Sequence, residues 1–538
     1  MSENSRNLKY NSILISFFEL IKNKSIITLI LIGLVGLTIR IYYFPFDIPI
    51  VYDGIDYFSY AVVVSQQWGL PNGWNLSNNG WPIFLSLFFS VFDSQNYLDF
   101  IYLQRSLTII ISVLTIIPVY LLCNRFVEKP FAIMGAALFA FEPRIILHSL
   151  LGIPESSFIF LGTFVLFFFL SKRFSIILIS FALLGLFTIV RYEGFLILIP
   201  FLVIFLIRFR NDEKIVQKMF FLIATFILIV SPIAYTMNEV VGDDSIVSPI
   251  FGGGINYLNE HIIRDNPDVD DPIYNTKNQQ NKVTLFFTLG LVNLTKFLGW
   301  VQIPTFIAFS VLGFFLLLKK KDYKTVTVLV FGFTMLIPTF YLYGRGIEET
   351  KYLYILFPIF CLMSSLSIKK INEIINMKKL IVIILSAILI SSIIFIEYKK
   401  IDYEYEKESY LVAKEIDNIA GGINHWSQWK YIPIAQIAND WPKIPLPDET
   451  GYNQEFNMKR VDAKNYSTII EYLESSKEKG LTHLVIDEMQ QPKFLIDVFN
   501  NEKEFPYLIK EYDSLDEGFK HQVKIYKIDY ELFYEFVK

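Results

Sequence analysis

The sequence predicts a polytopic α-helical membrane protein that carries a soluble α/β domain at its C-terminal end. Three observations carry this reading. The 538 residues are 53% hydrophobic, with a mean hydropathy of +0.43. The apolar residues gather in long runs, and a helix that crosses a bilayer needs about 20 of them. From Tyr398 onward the composition turns to that of an ordinary soluble domain.

About eleven runs qualify as spans by length and apolarity. They lie near residues 26–43, 104–123, 130–147, 156–171, 174–190, 193–208, 216–235, 301–318, 325–342, 352–367 and 379–397. The first has no small-residue cleavage site behind it and carries Arg40 near its end, so it reads as a retained span rather than a cleaved leader. Basic residues collect in cytoplasmic loops. Here they precede the first span (Arg6, Lys9, Lys22, Lys24) and recur in alternate loops: Arg125/Lys129, Lys172/Arg173, Arg208 to Lys218, Lys319 to Lys324 and Lys369 to Lys379. An odd number of spans then puts the N-terminus in the cytoplasm and the region from Tyr398 outside.

The first loop supports that orientation. From Ile41 to Gln104 the chain has no Lys or Arg but has five aspartates. A base-free, acid-bearing loop after the first span reads as external. Within it, Trp81 to Phe92 is apolar but too short to cross. It reads as an interfacial or re-entrant helix, with Trp68, Trp74 and Trp81 at headgroup depth. A second external segment, 236–283, holds Gly252 to Gly254 and an acidic run, Asp265 to Asp271. The spacing of that run does not fit an EF-hand, so it reads as a solvated loop. Leu285 to Trp300 reads as another interfacial helix.

Beyond Tyr398, residues 407–420, 468–477 and 493–501 have helical spacing, while 431–436, 483–487 and 522–529 read as strands. The expected division is a transmembrane domain over 1–397, with its acidic first external loop at 44–103, and an external α/β domain over 398–538.

Several classes are set aside by what the chain carries. A net charge of -4 argues for no nucleic-acid partner. Cys123 and Cys361 both lie in apolar runs, so a disulfide scaffold is not expected. There is no P-loop, dinucleotide fingerprint or HExxH motif, and the histidines show no metal-ligand spacing. Asn75, Asn293 and Asn465 open glycosylation-type sequons.

The residues that could carry chemistry stand where apolar runs meet the outside. Asp53 and Asp56 are three apart, which in a helix puts both carboxylates on one side. A carboxylate there can take a proton from a hydroxyl nucleophile. Asp47 stands between Pro45 and Pro49, where a solvated role suffices. Glu142, Arg144 and His148 close the third run, and Glu155 opens the fourth. Glu142 and Arg144 also read simply as an anchoring pair, though charges at membrane depth often mark function. Arg191 and Glu193 interrupt two short apolar halves. Arg345 and Lys351 flank the turn before the tenth run and are the best external cations for a lipid phosphate, which arginine clamps with paired hydrogen bonds.

The chain resembles the GT-C type membrane glycosyltransferases, the broad group that includes protein O-mannosyltransferases and lipid A aminoarabinose transferases. The resemblance rests on Arg40, Asp53-Gly-Ile-Asp-Tyr57 with Ala61, Gly80-Trp-Pro82, Pro154-Glu-Ser-Ser-Phe158, Val190-Arg-Tyr-Glu-Gly194, and Arg345 through Lys351-Tyr-Leu. It implies a polyprenyl- or dolichyl-phosphate sugar as donor, used on the outer or lumenal face. It also implies an acidic residue of the first external loop as catalytic base, which falls on Asp53, with Asp56 the weaker match. Gly54 stands where the mannosyltransferases usually carry a second acid, which argues against protein mannosylation. The Trp-Trp-Asp-Tyr-Gly signature of oligosaccharyltransferase catalytic subunits is missing, which argues against en bloc transfer to asparagine and the metal dependence that accompanies it.

The leading expectation is transfer of one sugar from a lipid phosphate to a hydroxyl acceptor of unknown identity. Asp53, Asp56 and Glu155 are the catalytic candidates, and Arg345, Lys351, Arg144 and Arg191 the donor-phosphate candidates. The expected partners are the lipid-linked donor, the acceptor and membrane lipids. No cofactor is expected, and a divalent metal stays open. The expected setting is a multi-pass protein of a prokaryotic cell membrane, or of the endoplasmic reticulum membrane in a eukaryote. The alternative is a transporter or lipid flippase, whose ionisable groups sit near the bilayer midplane. A scaffold displaying the external domain would explain that domain but not the acidic loop.

Overall fold

The computed structural model describes residues 24–51, 53–256, 282–375, 380–399, 402–419, 422–426, 431–439, 441–442, 458–461, 463, 466–487 and 492–538. The acidic run 265–271 and Asn465 lie outside the described residues. The chain divides into two compact units, one of residues 1–44, 75–84 and 105–399 and the other of 45–74, 85–104 and 400–538.

The first unit is a helical bundle. Seven described helices are long and apolar enough to cross a membrane, or eight if the pair Lys129–Ala140 and Pro143–Ser149, bent by 51°, counts as one span. This differs from the expected eleven. Four expected spans are shorter helices: Glu155–Phe169 with 15 residues, Phe174–Val190 with 17, Leu198–Arg208 with 11 and Ile307–Leu318 with 12. Polar or proline-bearing breaks cut them short, at Pro154, at Lys172-Arg173, at Arg191 to Gly194 and at Pro304. Conversely Lys282–Trp300, expected to lie at the interface, is one of the seven. Its sequon residue Asn293 is buried, and its amide donates to the Tyr343 carbonyl.

Lipid chains are as apolar as leucine, so helices in a membrane associate through close packing and polar contacts. Gly313 shows the first. A Cβ there would lie 1.9 Å from the Met363 carbonyl oxygen, so Ile307–Leu318 and Phe357–Ile375 meet backbone to backbone. Arg40 shows the second. It is wholly buried, and its guanidinium donates to the Gly36 and Ala140 carbonyls and to the Ser112 and Ser149 hydroxyls. These bonds tie Lys24–Tyr42 to the helices that carry the three downstream partners.

The second unit holds a five-stranded sheet in the order β2-β1-β3-β5-β4. Its strands are β1 (Gly422–Trp426), β2 (Met458–Arg460), β3 (Leu481–Asp487), β4 (Leu508–Asp513) and β5 (Val523–Ile528). β1 runs parallel to β2 and β3, and β5 runs antiparallel to β3 and β4. Helices Ile469–Lys477 and Lys493–Asn500 contribute Tyr472, Leu473, Leu495 and Val498 to a core with Leu484, Ile486 and Tyr526. Thr468 caps the first of these by accepting the Glu471 N–H. Residues 431–436, expected as a strand, instead open the helix Ile432–Asn439. Tyr431, Ile434 and Ala435 are buried at helical spacing, and Pro433 sits in the first turn, where its missing N–H costs nothing.

The segments 45–74 and 85–104 belong to this same unit. Trp441 packs against Phe58, Tyr97 and Phe100, with ring centroids 5.9, 5.6 and 4.9 Å away. Lys407 pairs with Asp47 at 2.6 Å. The acidic loop and the C-terminal residues therefore share one aromatic core.

Candidate active site

In the helical unit the site grows from two breaks in apolar helices. Phe174–Val190 ends at Arg191, whose backbone is extended, and a tight helical turn, Tyr192–Ile197, follows. The helix Glu155–Phe169 begins directly after Pro154, with Glu155 in its first turn, where a carboxylate faces the positive end of the helix dipole. The two breaks meet. Arg191 donates from Nη1 to Glu155 at 3.0 Å and from Nη2 to Glu193 at 2.7 Å. Its Nε adds a bond to Glu193 at 3.4 Å. All three side chains are about a tenth exposed. The guanidinium also lies 5.4 Å from the Phe158 ring and 5.8 Å from the Tyr352 ring.

These three residues line a pocket of about 400 Å³ of empty space, partly open to solvent, together with Lys351, Thr339, Tyr352 and Tyr354. Lys351 Nζ sits 2.8 Å from Glu349 and is mostly covered. A second cavity shares Glu155, Ile159 and Tyr354 with the first and adds Ser112, Thr115, His148 and Ser156. The buried Arg191 charge is compensated, while its two carboxylates leave the trio one negative charge in excess, and Lys351 lines the same pocket. An anionic group entering the pocket would meet Lys351 and the aromatic hydroxyls beside it.

The structure therefore brings Glu155, Arg191 and Lys351 onto one pocket. Arg345 stands at the end of the helix Tyr323–Gly344, its guanidinium against the Tyr341 ring and hydroxyl, outside that lining. Arg144 is buried and held by Glu142 at 3.5 Å, by the carbonyls of Trp300 and Ile303, and by the Phe395 ring. The sequence reading paired Glu193 with Arg191 but did not rank it as a site residue, and it missed Tyr352, Tyr354 and Thr339. The Lys351-Tyr-Leu-Tyr run was the one signal that could have flagged the tyrosines.

In the second unit Asp53 and Asp56 share the first turn of the helix Asp53–Gln67, and both are exposed. Although the residue as a whole is exposed, partial burial of the Asp56 carboxyl pushes it up to about 6, and the Asp53 charge adds to the effect. Asp47 is exposed, and the Lys407 ammonium, with the Tyr102 hydroxyl, holds it below the usual carboxylate range. The Gly54 carbonyl, between the two aspartates of interest, accepts from the buried Gln104 amide. Trp81, expected at headgroup depth, is wholly buried in the helical unit, whereas Trp68 is 79% exposed. Among the described residues no three carboxylate, imidazole or thiol groups converge as metal ligands do.

A family model described as dolichyl-phosphate-mannose-protein mannosyltransferase matches residues 81–235. That stretch carries Glu155, Arg191 and Glu193. No curated protein matches the chain in sequence. Among solved structures the chain is similar to the oligosaccharyltransferase of Archaeoglobus fulgidus. Its complex with zinc and sulfate aligns at a TM-score of 0.52 and 14% identity, over 86% of this chain and 68% of that one. The form tethered to an acceptor peptide aligns at 0.52 and 13%, over 93% and 74%. The complex with an inhibitory peptide and a dolichol-phosphate aligns at 0.52 and 12%, over 91% and 73%. The fold of this chain is accordingly similar to that of the Archaeoglobus fulgidus oligosaccharyltransferase.

Proposed function

We propose that this protein is a membrane glycosyltransferase that moves a sugar from a polyprenyl- or dolichyl-phosphate carrier to a hydroxyl acceptor on the outer or lumenal face. The observation that carries it is the pocket in which Arg191 and Lys351 stand beside Glu155, at breaks in apolar helices. A lipid-borne phosphate needs cations in a partly water-excluded seat, and Arg191 and Lys351 supply two on this pocket, beside the carboxylates of Glu155 and Glu193. The family match over residues 81–235 and the dolichol-phosphate complex of a structural relative support the choice of donor class.

In this reading the acceptor hydroxyl attacks the anomeric carbon as the bond from that carbon to the phosphate oxygen breaks. The lipid phosphate leaves with the electron pair, and Lys351 and Arg191 stabilise the charge that develops on it. A carboxylate takes the hydroxyl proton. Asp53 is given that role by the resemblance of its loop, and Asp56 stands beside it in the same first helical turn. Glu155 and Glu193 hold the Arg191 guanidinium in one orientation, which removes reorganisation from the reaction step.

The test is release of polyprenyl phosphate by purified protein in lipid nanodiscs, given a panel of polyprenyl-phosphate sugars and a mixed pool of hydroxyl acceptors. Turnover with at least one donor is expected, and its loss in Lys351→Ala. A purified, folded protein that turns over no lipid-phosphate sugar, and binds none, would overturn the proposal.

A further inference from the structure

We propose that the strap Asn78–Trp81 is a positioning element that sets the backbone turns carrying Arg191 and Glu155, so that Asn78, Gly80 and Trp81 act on transfer through that ion pair. The inference rests on the reading of the pocket as a sugar-donor site. The geometry lies within the helical unit.

Arg191 occupies an awkward stretch of chain. The helix before it ends, the next turn begins one residue later, and the first N–H groups of any helical turn have no partner within it. Asn78 supplies one: its Oδ1 accepts the Tyr192 N–H at 3.3 Å. Gly80 fixes the other flank. A Cβ at Gly80 would lie 2.6 Å from the Ile189 carbonyl oxygen, so the strap is pressed onto the backbone just ahead of Arg191. The strap thus touches residues 189 and 192 and brackets Arg191 between them.

The same segment reaches the other partner of the pair. Trp81 is wholly buried, and its indole N–H donates to the Gly152 carbonyl at 2.9 Å, three residues ahead of Glu155. The Ser149–Gly152 turn is further pinned by Arg40 on the Ser149 hydroxyl, Thr108 on the Ser149 carbonyl and Arg105 on the Leu150 carbonyl. Asn78, Gly80 and Trp81 therefore contact the backbone on either side of Arg191 and the turn three residues ahead of Glu155.

The strap keeps costly local features in place. Asn78 has a φ of 63°, in the left-handed region that a non-glycine residue enters at a cost. Asn79 is buried, and its Nδ2 finds no hydrogen-bond partner among the described residues. Such features persist where surrounding structure over-determines them, and they gather at functional sites.

The test compares Asn78→Ala, which removes the acceptor, with Asn78→Asp, which keeps one. Two readouts are taken on full-length protein in nanodiscs. The first is the ¹⁵N-arginine spectrum, with the Arg191 Nε–H signal assigned by its loss in Arg191→Gln. That signal should move in Asn78→Ala and return in Asn78→Asp. The second is donor turnover. A misplacement of about 1 Å can cost on the order of 100-fold, so Asn78→Ala should lose roughly 10–100-fold in kcat with a smaller change in donor KM, and Asn78→Asp should recover most of it. Trp81→Phe, which deletes the indole donor together with part of the ring, should fall on the same side.

An unmoved Arg191 signal overturns the proposal whatever substrate the pocket takes. A moved signal with unchanged kcat, or a loss that Asn78→Asp does not restore, also overturns it. Wild-type protein that turns over no donor defeats the proposed function instead, and the arginine spectrum still decides whether the strap positions Arg191.

Discussion

The substitution Arg191→Met makes the sharpest demand on the site. It keeps most of the side-chain bulk and removes the positive charge that serves two carboxylates, at 3.0 Å for Glu155 and 2.7 Å for Glu193. Both acids are about 9% exposed at the side chain, so water can replace little of what is lost. Removing one partner of a buried pair costs about 3–5 kcal/mol, because the charge left behind stays uncompensated. Replacing the whole cluster by apolar groups of similar volume is often close to neutral. The triple variant Glu155→Leu, Arg191→Met, Glu193→Leu should therefore unfold within about 1 kcal/mol of wild type, although Arg191→Met alone does not. Unfolding in mixed SDS micelles, followed by tryptophan fluorescence, gives both values, and the comparison is a mutant cycle across a coupled network. Turnover should be lost in both proteins, since neither has the guanidinium. Arg191→Met as stable as wild type, or a triple variant as unstable as Arg191→Met, would refute the ion-triad reasoning.

Other expectations follow from the same geometry. Asp53→Asn cannot take a proton, so turnover should fall by about 10²–10⁴-fold with donor binding near wild type, while Asp47→Asn changes little; an active Asp53→Asn protein shifts the base to Asp56 or Glu155. The folded chain holds the Asp56 proton up to about 6 against an ordinary 3.8. Folding therefore takes up a proton in that window, and stability falls as pH rises through it. Asp53→Asn removes the repelling charge and should bring the Asp56 midpoint down in a ¹³C-carboxyl titration, and an unmoved midpoint would show the Asp53 charge to be without effect. Lys351→Ala should weaken lipid-phosphate binding by about tenfold or more, as loss of a charge-assisted contact of about 1.5–3 kcal/mol implies. Arg345→Ala should weaken it less, and equal effects in a binding titration would move the phosphate seat toward Arg345. Trp441→Ala removes a shared aromatic anchor of 45–74, 85–104 and the C-terminal residues, and limited proteolysis should then cut these segments faster than in wild type.

The bundle was legible because apolar runs of spanning length are rare outside membranes, and the charged residues that interrupt them stand out. Arg191, Glu193 and Glu155 were visible for that reason. Their meeting was not, because 36 residues separate Glu155 from Arg191 and no periodicity links two breaks in different helices. The break at Arg191 to Glu193 was legible, since the charges separate the runs 174–190 and 193–208; the helix lengths were not, because four of the eleven expected runs form helices of 11–17 residues. Residues 431–436 were misread because Ile-Pro-Ile alternates like a strand; the helix follows from tertiary burial of Tyr431, Ile434 and Ala435. The join between the acidic loop and the C-terminal residues depends on Trp441 entering a cluster built from Phe58, Tyr97 and Phe100, and sequence offers no rule that pairs such distant rings.

The buried Arg40 sets an order on how the chain can be made. Its hydroxyl and carbonyl acceptors outside its own helix lie 72, 100 and 109 residues downstream. While the ribosome is still adding them, the guanidinium has only the Gly36 carbonyl of its own turn. Near the end of its span a long charged side chain can reach the interface, so the buried position of Arg40 is one it can take up only after the Pro143–Ser149 segment has been synthesised. In a nascent chain arrested before Ser149 the guanidinium lacks an acceptor that holds it in the folded protein, and in one arrested well beyond it the full set is at hand.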